Sequence, residues 1–227
     1  MHNLFLKYGY KGPQNPNDPF ENIDPRWNYT TYYTGQPIGT STFNSLPDSP
    51  TADRVRSSEF STVNGYNLKK WVDFAADGSN PNTGSINMIL IRYADILLMY
   101  AESKIELGEI DDSVYDAINE VRQRPTVEMP IITSGKSQEE LRAIIRDERA
   151  VELAFEGLRL YDMNRWKIGE EKVGTVEGLY YLNTASGEWE TITSGLTRTF
   201  RADRDYLWPI PQVEMEINDN ITQNPNY

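Results

Sequence analysis

Glu148 and Glu152 stand four residues apart in the run SQEELRAIIRDERAVELAFEGLRLYDMNRWK, residues 137–167, so on a helix they share one face. A carboxylate pair at that spacing is half of a carboxylate metal site, or one side of an acid–base pair for glycoside hydrolysis. A hydrolase wants its two carboxylates across a cleft in unlike environments. Here both project from an apolar stripe formed by Leu141, Ile144, Ile145, Val151, Phe155 and Leu158, with Arg159 in its middle and Asp162 at its edge. Buried charges need partners, because an unpaired buried ion costs several kcal/mol or more. Arg149 and Arg159 on the same run, with Arg122 or Arg124 just before it, can supply bidentate donors. The residue types therefore favour a structural ion-pair network of Arg122, Arg124, Glu148, Arg149, Glu152 and Arg159 over an active site, with a metal site second.

Other chemistries lack candidates. The chain has no cysteine, and its one histidine, His2, sits at the start. Disulfides, thiolate catalysis, Cys- or His-ligated metals and a His-containing triad have no residues to use. A net charge of −12 argues against nucleic acid and anionic membrane surfaces as partners. No secretory leader, bilayer-length apolar run, Gly-rich phosphate loop or nucleophile elbow is present. We assign no catalytic residue, no cofactor and no metal.

Aromatic residues are the remaining resource, with 14 Tyr and 5 Trp. Trp27, Tyr29, Tyr32 and Tyr33 crowd a polar, Pro- and Gly-flanked stretch after Asp24-Pro25-Arg26. Such rings either stack on the apolar faces of sugars or cover the edge of a helical stack, and both readings stand. Trp189, among polar neighbours on a predicted hairpin, is a further candidate for exposure. Trp71, Trp166, Tyr206, Trp208 and Tyr227 read as core and clamp residues.

The elements that must hold these residues fall into three regions. Residues 1–88 are loop-rich, with Gly, Pro, Asn and Asp every few positions and short extended pieces around 27–33 and 68–74. Residues 89–168 are helical. Gly108 stops a helix over 91–107, and Asp111 or Asp112 caps the next, which buries Val114, Ala117, Ile118 and Val121 and ends before Pro125. A capping box at Ser137-Gln-Glu-Glu140 opens a long helix that runs to Gly169. Residues 169–227 carry a β-hairpin over 179–192 and an irregular tail with a short helix over 212–218. The fold class is mainly α: tetratricopeptide-like helical hairpins stacked with a long helix, plus extensive irregular loops and a small β-hairpin.

Four blocks carry a resemblance. Arg146–Trp166 reads R-D-E-R-x-x-E-L-A-F-E-G-x-R-x-Y-D-M-N-R-W, and the tail reads Tyr206-Leu-Trp-Pro-Ile-Pro-Gln212, then Glu214, Asn218 and Thr222-Gln-Asn-Pro-Asn-Tyr227. Ile91-Arg-Tyr-Ala-Asp-Ile-Leu-Leu-Met-Tyr-Ala-Glu102 with Asn119-Glu-Val-Arg-Gln-Arg124 is the third block, and Asp24-Pro-Arg26 the fourth. In their order along the chain they resemble the SusD/RagB family of outer-membrane nutrient-binding lipoproteins of Bacteroidetes-type bacteria. The resemblance implies the C-terminal portion of a longer protein whose N-terminal half lies outside this chain. It implies a non-catalytic, cell-surface binder of oligosaccharide or polysaccharide, lipid-anchored outside this chain, that passes its ligand to a SusC-like TonB-dependent outer-membrane transporter. Ligand sites of the family are shallow, aromatic-lined and built from loops. The alternatives it leaves are a transporter-docking interaction module and a peptide-binding RagB-like protein.

Overall fold

The structure is a computed structural model and describes residues 5, 9–13, 15, 17–56, 62–72 and 86–227. His2 and the Gly78–Gly84 loop lie outside the described residues, as does the end of the expected extended piece at 68–74. Two compact units share the chain. One is Met1–Phe43 with Asn67–Arg159, the other Asn44–Tyr66 with Leu160–Tyr227.

The first unit begins with α1 (Arg26–Thr30), followed by β1 (Thr31–Tyr32), β2 (Pro37–Ile38), β3 (Ser41–Thr42) and β4 (Asn67–Leu68). β1 pairs antiparallel with β4, and β2 with β3. The stretch 27–33, expected to be extended, is thus a helical turn running into a two-residue strand. Asp24 sets the turn, because its carboxylate accepts from the Arg26 backbone N–H at 2.9 Å and from the Arg26 side chain.

α2 (Tyr93–Leu107) and α3 (Asp112–Gln123) form the expected hairpin. Gly108, at φ 74°, takes the left-handed conformation that closes α2. Asp111 caps α3 by accepting from the Ser113 N–H at 3.1 Å. Leu98, Ala101 and Ile105 of α2 meet Val114, Ala117, Ile118 and Val121 of α3, and α4 (Gln138–Glu152) adds Leu141 and Ile145. Ser137 and Glu140 form the capping box at its start. Ile118 is fully buried in this cluster. Ile118→Val is expected to cost about 0.5–1.5 kcal/mol, lowering the thermal midpoint by about 2–4 °C per kcal/mol in a calorimetric scan.

The long helix expected over 137–167 is two helices. α4 ends at Glu152, and α5 (Arg159–Trp166) starts after a bend in which Phe155 has φ 61° and Gly157 φ 82°. The carbonyls of Glu152 and Ala154, which a continuing helix would use, accept instead from Arg92 and Lys70 at 2.7 and 3.0 Å. Side chains from elsewhere in the sequence thus cap the helix.

In the second unit, α6 (Gly169–Lys172) leads into the hairpin of β5 (Thr175–Asn183) and β6 (Glu188–Thr197), longer than the predicted 179–192. The Tyr66 hydroxyl accepts from the Tyr180 N–H at 3.1 Å. Close strand contact requires Gly178, where an added Cβ would stand 1.6 Å from the Ile192 carbonyl oxygen. α7 (Gln212–Ile217) matches the short helix expected in the tail. The Gln223 amide pins this tail by pairing with both the N–H and the C=O of Ile210, at 2.8 and 3.0 Å.

Candidate functional site

Arg26 is the hub of the first unit. It is 4 % exposed, and its guanidinium donates to Asp24, to Glu148 Oε1 at 2.5 Å and to Glu152 Oε2 at 2.9 Å. Glu148 Oε2 takes Arg122 at 2.6 Å. Glu152 Oε1 takes both Arg92 at 2.6 Å and Arg124 at 2.5 Å. Glu156 then receives two bonds from Arg92, at 2.7 and 2.8 Å, and one from Lys70 at 2.5 Å. Arg149, next to Glu148 but turned 100° around the helix, reaches the opposite way to Asp95 on α2 at 2.9 Å, with Glu102 at 3.7 Å.

These partners decide the charge states. Burial acts most strongly on Glu152 and raises its pKa. The Arg124 hydrogen bond and the charges of Arg26, Arg124 and Arg92 outweigh that and hold it at about 2. Burial works against the charge of Arg26 too, but Glu148 and Asp24 together hold its pKa well above the usual arginine value. For Lys70 burial wins and lowers the pKa, although Glu156 opposes it. A carboxylate fixed as an anion by three guanidinium groups is a poor general acid, and its oxygens are already occupied as acceptors. No three His, Cys, Asp or Glu side chains among the described residues are grouped to hold a metal.

Above the network opens a cleft of about 340 Å³. Glu152, Glu156, Arg26 and Arg92 line its charged side. Tyr29, 59 % exposed, and Trp71 supply aromatic walls, and Ile89 an aliphatic one. Trp71 has φ 76°, and its indole N–H donates at 3.0 Å to the carbonyl of Phe155, itself at φ 61°. Two bulky residues in the left-handed region, joined by one hydrogen bond, mark local strain, with Trp71 on the cleft wall.

A profile of the SusD family matches residues 1–227, the whole chain. The chain belongs to the SusD family. SusD-like protein P2 of Formosa agariphila is 34 % identical over 174 residues, which cover 73 % of this chain and 31 % of that protein. A solved SusD-like carbohydrate binding protein of Bacteroides fragilis superposes with a TM-score of 0.82 at 28 % identity, over 97 % of this chain and 47 % of that one. A second SusD-like protein of Bacteroides fragilis gives 0.75 at 32 % identity, over 92 % and 40 %. This SusD family chain therefore spans about a third to a half of the length of the relatives it matches.

The aromatic residues singled out in the sequence of this SusD family chain separate into different environments. Trp27 is fully buried against Phe5 and Phe20, with ring centroids at 5.3 and 6.2 Å, so it offers no face to a ligand. Tyr32, 5 % exposed, packs on Phe43. The Tyr33 ring packs against both Phe20 and Trp27, and its hydroxyl donates to Asn28 at 2.6 Å. Only Tyr29 of the four lines the cleft. The reason is the helical turn, which points Trp27 inward and Tyr29, about 200° further round, outward. Trp189 is in the second unit, half-buried with its ring 5.1 Å from Tyr180. Arg122, Arg124, Glu148, Arg149 and Glu152 occupy the positions described, and Arg159 starts α5 beyond the bend.

Sequence reasoning passed over Arg26, Lys70, Trp71, Arg92 and Glu156 as site residues. One signal was present: Asp24-Pro25-Arg26 and Arg92 both lie inside family-like blocks.

Proposed function

We propose that this chain holds an oligosaccharide in the cleft beside Tyr29 and Trp71 and performs no chemistry on it. The observation that carries the reading is an exposed tyrosine ring standing beside a fixed, hydrogen-bonding floor, in a chain whose solved relative is a carbohydrate binding protein. Aromatic faces stack on the C–H faces of sugar rings, and the rigid network holds the wall in place without reorganisation on binding. In the whole protein, the ligand passes to a SusC-like TonB-dependent transporter at the outer membrane. Attachment there is through a lipid anchor; no helix among the described residues is long and apolar enough to cross a bilayer.

Affinity gel electrophoresis of the intact chain against a polysaccharide panel tests this. Tyr29→Ala is expected to weaken retention about ten-fold, as loss of one stacking contact would. Unchanged retention in Tyr29→Ala overturns the placement, and release of reducing ends from any retained polysaccharide overturns the non-catalytic reading.

A second reading, docking to the transporter, is favoured by the exposed run of Met88, Leu90, Ile91 and Tyr93, which are 82, 83, 68 and 64 % exposed. Leu90→Glu with Ile91→Glu separates the two. Loss of transporter co-purification with glycan retention intact assigns this face to docking.

A further inference from the structure

We infer that the sugar held in the cleft carries an acidic group, a uronate carboxylate or a sulfate ester, and that Arg124 reads it. This rests on the glycan reading above and sharpens it. The network joined by ion pairs contains five basic groups, Arg26, Lys70, Arg92, Arg122 and Arg124, against four carboxylates, Asp24, Glu148, Glu152 and Glu156. Among the described residues it therefore holds one basic group more than carboxylates, inside a chain whose net charge is −12.

The excess has an address. Arg92 spends Nε, Nη1 and Nη2 on Glu152 and Glu156, and Lys70 spends its ammonium on Glu156 and two carbonyls. Arg26 is committed through Nε, Nη1 and Nη2. Arg122 uses Nε on the Pro130 carbonyl and Nη1 on Glu148. Arg124 makes a single bond, Nη1 to Glu152, and its side chain is 36 % exposed where it lines the cleft. Its Nε and Nη2 edge remains available as a donor fork, the geometry that matches a carboxylate or sulfate. Glu120 lines the adjoining groove beside Arg124 but forms no ion pair with it. Tyr29 and Ile89 line the same cleft, so a ring stacked there can present its acidic substituent to the guanidinium.

The test is isothermal titration of the intact chain with oligogalacturonates, their methyl esters and sulfated galacto-oligosaccharides. An acidic ligand is expected to bind about ten-fold tighter than the neutral ester in low salt, with the preference shrinking as salt rises. Preference for the carboxylate or for the sulfate identifies the source of the charge. In Arg124→Gln the acid-to-ester ratio is expected to fall to about one, and Arg124→Lys should restore part of it. If acid and ester bind equally while the neutral sugar is held, the inference fails and the glycan reading stands. Binding of no sugar at all, neutral or acidic, removes the glycan reading and this inference with it. A full acid preference kept in a folded Arg124→Gln variant overturns the assignment to Arg124.

Discussion

Glu152→Ala is expected to remove about 3–5 kcal/mol of stability, a large part of the margin of an ordinary domain. The side chain of Glu152 has no exposed surface, and it accepts from Arg26, Arg92 and Arg124 at once. Deleting it takes an acceptor from three guanidinium groups: Arg26 keeps Asp24 and Glu148, Arg92 keeps Glu156, and Arg124 loses its single bond. The cost comes mainly from the further positive charge left in the buried network, not from the pairs lost. Urea unfolding followed by circular dichroism would show a sharply lowered midpoint, or a chain that fails to fold. Arg142→Ala, which breaks a surface pair with Glu106, is the contrast and should leave the midpoint nearly unmoved. Wild-type stability in Glu152→Ala would mean the network does not hold the fold.

Acid should act on the same residue. Glu152 has a folded pKa of about 2, against an ordinary value of 4.5. A carboxylate depressed on folding adds stability in full above its unfolded pKa, and that stability disappears as pH falls through the folded one. The drop from 4.5 to about 2 corresponds to about 3 kcal/mol, present above about pH 5 and gone near pH 2. Urea midpoints measured from pH 7 down to pH 2.5 should therefore stay level to about pH 5 and then decline. In a folded Glu152→Gln variant the decline below pH 5 should be visibly shallower. Parallel slopes in the two proteins would show that other carboxylates control the acid transition.

Local signals in the sequence were legible because their causes are local. The capping box at Ser137, the stop at Gly108 and the cap at Asp111 each involve groups within a few residues of one another. The pairing of α2 with α3 follows from apolar spacing and a short turn. The bend after Glu152 was not legible, because helical periodicity continues through Phe155 and Leu158. What stops the helix is Lys70, Arg92 and Trp71, from 60 to 84 residues earlier in the chain. The same holds for the site. Buried glutamates predicted arginine partners, yet Arg26 lies 122 and 126 residues from the two it joins. A single helical turn, set by Asp24, then separated Trp27 from Tyr29, burying one and exposing the other. Residue type alone ranks both rings equally.

The 126-residue span between Arg26 and Glu152 also has a consequence in time. Contacts so distant in sequence are entropically costly to make early, whereas the α2–α3 hairpin can assemble from neighbouring residues. The hub therefore closes late, after the helices it joins have met. An interaction absent from the folding transition state leaves the folding rate nearly untouched and slows unfolding instead. The network is then a latch whose strength sets how long the chain stays folded.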